Sequence, residues 1–421
     1  MIKNISFLIL SALFVGVFAG CDKKAEVLDA NQTQSTNFDF DALKSEAEAQ
    51  NIDLSKIMLK DSAQEIKDLN ANAPKTPIDS QQNAPQIAKS MARFYLLEGE
   101  IEGTKATLYL KISSAPDIAN VGENQSNALA YITGKIVRGS EIFTLKGEVG
   151  QSQIEAIALE INGNSTKNPQ IFEAQITQNG EVSGRFVGNG FFAEGSSVDF
   201  KRAGGKINEI AIFGVSVAQK HKGKDFDGSA RDFDFNVAMQ IPLIRSDNKI
   251  DFALDKINST LREMSMPETS EYGDDSTNFS SVSLFEIDYI DDKIIVFGNY
   301  KYLYSGGAHG NYSDDAISFD INNGEKLTNE PNALLKDENN PALRAMIKEK
   351  LKAEYGDSVD DNANLSRFRI RPNGVEFYWG TYEIAAYAVG IVTIRFDFAE
   401  LAPFVREDSP YHYLFAKNDK A

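Results

Sequence analysis

The chain has 421 residues, long enough for two or three domains of ~100–200 residues each. A hydrophobic fraction of 42% excludes wholesale disorder. With 43 basic against 61 acidic residues the net charge is −18, which repels phosphate backbones, so no nucleic acid is expected as a partner and a cationic protein or ligand is favoured instead.

At the N-terminus, Lys3 precedes an apolar run, Ile5 to Phe18, that is too short to span a bilayer comfortably and reads as the core of a signal peptide. The run ends in Phe18-Ala19-Gly20-Cys21. Small residues just before a cysteine resemble the lipobox at which lipoprotein signal peptidase cleaves, although Phe18 stands where that family usually has Leu. Cys21 is the only cysteine, so no intramolecular disulfide can form. The resemblance implies cleavage before Cys21, acylation of Cys21 and attachment to a membrane through that lipid. Each buried methylene contributes ~0.8 kcal/mol, so two or three acyl chains hold firmly where one does not. The expected location is the cell envelope, on the periplasmic side of the inner or outer membrane or at the cell surface. Residues 1–20 are thus expected to be signal peptide and 21–90 a lipidated tether, partly helical or disordered, rich in Asp, Asn, Gln, Lys and Ala. Within it Phe40, Leu43, Ala47, Leu54, Ile57 and Met58 recur at loose helical spacing.

From 91 to 204 the grain changes to short alternating runs such as FYLLEGEIEGTKATLYLKI, ALAYITGKIV and EIFTLKGEV, broken by turns such as Asn179-Gly180. Strands at spacings near ten residues predict an antiparallel β-meander or small barrel. Gly188-Asn189-Gly190 imitates a dinucleotide loop, but no helical pattern follows it.

The third region, 205–410, mixes both periodicities, with residues 411–421 as a tail. Strands are predicted at 209–219, 232–241, 281–290, 293–304, 315–321, 367–371, 374–379 and 390–396, and helices at Asn248 to Met264 and Pro341 to Tyr355. Pro341 sits at a first-turn position. The predicted fold class is α+β, a meander or barrel followed by a mainly antiparallel sheet with two helices on one face.

Two phrases here carry a resemblance. Tyr302-Leu303-Tyr304-Ser305-Gly306-Gly307-Ala308-His309-Gly310 follows a strand, and Val375 to Gly390 contains an aromatic strand followed by Tyr382-Glu383-Ile384-Ala385-Ala386-Tyr387. Together they resemble the paired domains of unknown function at the extracellular end of the lysozyme-sensing anti-sigma-V factor and in peptidoglycan deacetylase C; Ala386 replaces a proline of that pattern. No deacetylase domain, transmembrane helix or sigma-binding part is visible in the sequence. The resemblance implies an extracellular ligand-binding module. Gly306 and Gly307 give the loop its conformational freedom and fix the placement of His309, while Tyr304, Trp379 and Tyr382 are aromatic candidates for contact with a sugar or protein.

The sequence shows none of the common catalytic signatures. His221, His309 and His412 are far apart with no H-E-x-x-H, so no metal is expected. There is no G-x-S-x-G elbow, and Gly356-Asp357-Ser358-Val359 only imitates the start of an esterase motif. No cofactor is expected. The expectation is a non-enzymatic envelope lipoprotein that binds a protein, such as lysozyme, or a cell-wall glycan. Two alternatives stay open: a cell-wall glycan hydrolase or deacetylase, since 61 acids leave room for a carboxylate pair, and a structural or assembly factor of the envelope.

Overall fold

The computed structural model describes residues 86–416, leaving out 115–129, 140, 150–152, 159–169, 177–179, 208, 226, 247–250 and 267–276. The expected signal peptide, Cys21 and nearly all of the tether lie outside the described residues.

Eight antiparallel strands come first: β1 (Gln86–Ile101), β2 (Thr104–Ser114), β3 (Ala130–Arg138), β4 (Glu141–Val149), β5 (Gln153–Ala158), β6 (Gln170–Ile176), β7 (Val182–Val187) and β8 (Ser197–Arg202). Each pairs with the next, and β1 pairs back with β8 at Leu97 with Arg202 and Glu98 with Lys201, so the meander closes on itself. Glu102-Gly103 joins β1 to β2 with both residues at positive φ (53° and 74°), the two-residue turn whose twist suits a hairpin. Alternate residues point inward, and Leu97, Ile101, Leu108, Leu110, Leu145 and Phe186 are completely buried there. The Gly188-Asn189-Gly190 phrase lies between β7 and β8 and leads into a strand.

The closed part is not a separate sheet. Gln86–Phe94 of β1 is left over after closure and pairs with β9 (Glu209–Lys224), which continues through β10 (Ala230–Arg245), β11 (Phe279–Ile290), β12 (Ile294–Tyr304), β13 (Asn311–Asp320) and β14 (Lys326–Leu327). Strand pairing therefore runs straight through the expected boundary between residues 204 and 205. Among the described residues only β10 and β11 pair in parallel, and α1 (Phe252–Ser265) lies in the crossover such a pair requires. Asp251 caps α1, accepting from Ala253 N at 3.1 Å and Leu254 N at 3.2 Å, and Leu254, Ile257 and Leu261 form its buried stripe.

A second layer holds a three-stranded antiparallel sheet, β15 (Arg367–Arg371), β16 (Gly374–Trp379) and β17 (Val392–Asp397), with α2 (Pro341–Tyr355) against β17. Asn340 caps α2, and its apolar stripe Leu343, Ile347 and Leu351 is fully buried. The two long helices were expected on one face of one sheet; instead α1 packs on the large sheet and α2 on the small one. Periodicity marks which residues of a helix are buried, but not against what. Nor is the chain a free tail from residue 411: Tyr411 is completely buried, Leu414 and Phe415 join the same cluster, and α3 (Phe398–Leu401) packs beside α4 (Tyr413–Ala416).

The two layers are locked by charge. Arg369 of β15 is 1% exposed. Its Nη1 donates to Asp314 Oδ2 at 2.9 Å and Asp288 Oδ2 at 3.2 Å, and its Nη2 to the Asp314 carbonyl at 2.5 Å. Arg371 binds Asp288 and donates to Glu376 at 2.9 Å. Gly298 makes the room, since a Cβ there would lie 3.0 Å from Asp288 Oδ2 and 3.5 Å from Arg369 Nη1. Burial alone would raise the pKa of Glu376, but Arg371 and Arg369 outweigh it and bring the carboxyl to about 2. A buried ion pair of this kind adds little net stability when intact, yet breaking it strands a charge and costs ~3–5 kcal/mol. Arg369→Ala should lower the unfolding free energy by about that amount in urea titration. Because folded Glu376 stays ionised to about 2, whereas an unfolded glutamate protonates near ~4.3, its contribution is present above that pH and lost as the pH falls between the two values. Glu376→Gln should flatten that segment of the stability curve; an unchanged slope would show that other carboxylates carry it.

Candidate functional site

At the open end of the ion cluster lies a surface built of tyrosine and histidine. Tyr300, Tyr302 and Tyr304 alternate along β12 and so share one face. Tyr312 of β13 stands opposite Tyr302 in register. The β12–β13 connection then turns through Gly306 (φ 110°) and Gly307 (φ 91°), conformations that a side chain rarely tolerates. Gly310 is held to a hydrogen by a different constraint, because a Cβ there would lie 2.5 Å from the Tyr302 ring.

This loop carries His309 to a second wall supplied by the turn after β16. The His309 ring stacks on Tyr387 with centroids 3.8 Å apart and planes inclined by 18°. Its Nδ1 is 3.2 Å from the Gly310 carbonyl, which only accepts, so Nδ1 is the donor there, and its Nε2 lies 3.2 Å from the Tyr382 hydroxyl. Tyr387 donates to the same carbonyl at 2.6 Å, and Tyr304 donates to the Gly307 carbonyl at 3.0 Å. Tyr382 sits at φ 66°, a left-handed conformation uncommon for a bulky residue, and is 60% exposed. Burial, reinforced by neighbouring tyrosines, pushes Tyr300 up to about 12 and also raises Tyr302, Tyr312 and Tyr387, so these phenols stay neutral donors at physiological pH. The charged rim is Arg367, which binds Glu383 and lies 3.5 Å from Asp315.

Five of the residues singled out in the sequence therefore meet: Tyr304, Gly306, Gly307, His309 and Tyr382. Trp379 does not join them. It is 1% exposed, its Nε1 donates to the Asn364 carbonyl at 2.7 Å, and it belongs to the buried core cluster that also takes in Leu343 and Ile347 of α2. Tyr378, on the opposite face, is also buried and accepts from the Ala316 amide at 2.9 Å. Tyr302 and Tyr312 were not among the contact candidates; for Tyr302 the period-two spacing Tyr300-x-Tyr302-x-Tyr304 on a predicted strand was a legible signal. The arrangement can stack against planar or ring-shaped groups and can donate neutral hydrogen bonds. Among the described residues no group of three or more His, Cys, Asp or Glu could hold a metal ion.

Residues 332–399 match the family described as protein of unknown function (DUF3298), and this segment lies inside the 205–410 region. Among solved structures, a DUF3298-family protein from Bacteroides fragilis NCTC 9343 is 16% identical, with 48% of this chain and 96% of that chain covered and a TM-score of 0.32. A DUF3298-family protein from Pseudomonas aeruginosa PAO1 is 18% identical, with 46% and 94% covered and a TM-score of 0.32. No curated protein matches the sequence.

Proposed function

We propose that the chain is an envelope lipoprotein, anchored through lipid on Cys21, that binds a protein partner through the tyrosine-histidine surface around His309. The observation that carries the reading is the His309–Tyr387 stack with Tyr382 tilted beside it, an aromatic group left accessible at Tyr382 and tied together by hydrogen bonds. Tyrosine suits such a surface because it offers a large rigid contact area with a polar tip. The net charge of −18 steers cationic proteins towards the chain, and the resemblance to the lysozyme-sensing module makes lysozyme the first partner to try. A cell-wall glycan is the competing ligand for the same ring faces.

Titration of the chain from Asp22 onward against lysozyme, at ~0.15 M salt where charge steering is screened beyond ~8 Å, tests the reading. Saturable binding is expected, weakened by more than ~1 kcal/mol in His309→Ala and in Tyr382→Ala. Binding that vanishes at this salt, or that both folded variants retain in full, would remove lysozyme; saturable binding of soluble peptidoglycan fragments instead would transfer the site to the glycan. For the anchor, Cys21→Ala should abolish incorporation of labelled palmitate and release the chain from membranes. Unchanged labelling and partition would sink the lipoprotein assignment.

A further inference from the structure

Among the described residues, β10 loses its second partner strand halfway along. β11 pairs with it only from Phe235 to Met239, and the Gln240 side chain makes one last tie, accepting from the Phe285 amide at 2.8 Å. Beyond that point α1 lies alongside the strand, and Asn258 takes both backbone groups of Ile244, accepting from its N–H at 2.8 Å and donating to its carbonyl at 2.9 Å. A trough of about 350 Å³ opens there. Phe213, Ile241 and Leu243 supply its apolar lining, and Asp255, Ser259 and Arg262 its polar one.

The helix side carries the chemistry. Asp255, Ser259 and Arg262 follow at i, i+4 and i+7, one exposed stripe of α1 in which two turns put ~10 Å between the acid and the base. Neither Asp255 nor Arg262 forms an ion pair among the described residues, whereas their neighbours Asp251 and Lys256 do, with Lys206 at 3.1 Å and with Glu325. A first-turn acid and a last-turn base suit the helix dipole, but the dipole does not require that both border one apolar trough. On the sheet side Ile241 stands opposite Phe213 in register, Leu243 follows on the same face, and both Ile241 and Leu243 are only half-buried. The strand edge itself offers no ladder to a partner: Ile244 is already bonded to Asn258, and Pro242, two residues away on the same edge, has no N–H. A ligand is therefore held by its ends and its body. We propose that this trough binds a short zwitterionic peptide of about three residues, whose extended ends lie ~10 Å apart, with its ammonium at Asp255, its carboxylate at Arg262 and a central apolar side chain on Ile241 and Leu243. None of these residues belongs to the His309 surface, so the two sites stand or fall separately.

Calorimetric titration of the chain from Asp22 onward with the tripeptide Ala-Leu-Ala tests the proposal, alongside the N-acetylated and the C-amidated forms of the same peptide. Saturable binding is expected, weakened about tenfold by blocking either end. Acetylation should make no further difference in Asp255→Asn, and amidation none in Arg262→Gln, while His309→Ala should bind as the unaltered chain does. Both helix substitutions lie on the exposed side of α1, and circular dichroism checks that the fold persists. No saturable binding, equal binding of the blocked peptides, variants that discriminate the blocked ends as the unaltered chain does, or loss of binding in His309→Ala would overturn it.

Discussion

Arg369 carries a charge that water does not reach, and its neutralisation fixes how the parts of this chain sit against one another. It lies on β15 and reaches Asp288 of β11 and Asp314 of β13, while Arg371 joins Asp288 to Glu376 of β16. Lys111 of β2 pairs with Glu286 at 2.6 Å, and Lys135 of β3 feels the field of Arg371, Asp288, Glu286 and Glu376, with burial as the largest influence holding its pKa down. Four cations thus face four carboxylates where the closed strands, the extended sheet and the small sheet converge. Removing either partner of such a pair leaves an unpaired charge in a medium that solvates it poorly, so the cluster tolerates little rearrangement.

The same contacts protect an edge. β14 covers β13 only at Ser318 and Phe319, which leaves earlier backbone groups of β13 open to pairing with another chain. Side chains of the second layer occupy them instead: Arg369 donates to the Asp314 carbonyl and the Ala316 amide donates to the Tyr378 hydroxyl. The tyrosine-histidine surface continues this seam outward. One wall, Tyr302, Tyr304, Tyr312 and His309, belongs to the large sheet and its loop; the other, Tyr382 and Tyr387, belongs to the turn after β16. The surface therefore exists only while the layers are held in register, and the left-handed Tyr382 is a strained residue that the surrounding hydrogen bonds maintain.

Local elements were legible because local forces make them. The helix expected from Pro341 to Tyr355 has those limits, since its proline at the first turn and its apolar period are written in adjacent residues, and the strand expected at 293–304 is found at Ile294–Tyr304. Long-range pairing left no such mark. Nothing in the residues of β1 distinguishes the half that joins β8 from the half that joins β9, so the continuity of the sheet across residue 204 could not be read. Burial of charge was hidden for a different reason. Arg367-Phe368-Arg369-Ile370-Arg371 alternates like a strand with one wet face, whereas Arg369 points into the protein because carboxylates from two distant strands wait there. The site was half visible: the glycines and His309 announced a built loop, but Trp379 was misread because aromatic character does not tell a core strand from an exposed one.

The central claim is that the buried arginine cluster holds the two walls of the His309 surface together. The chemical shift of the His309 ring protons reports this directly, because a ring stacked 3.8 Å from Tyr387 lies in its shielding cone. With Arg369→Met, under conditions where strand content by circular dichroism is intact, the upfield displacement seen in the unaltered chain should be lost or broadened. The same displacement in the folded variant would contradict the account, and would mean that the walls meet without the charge that joins the layers.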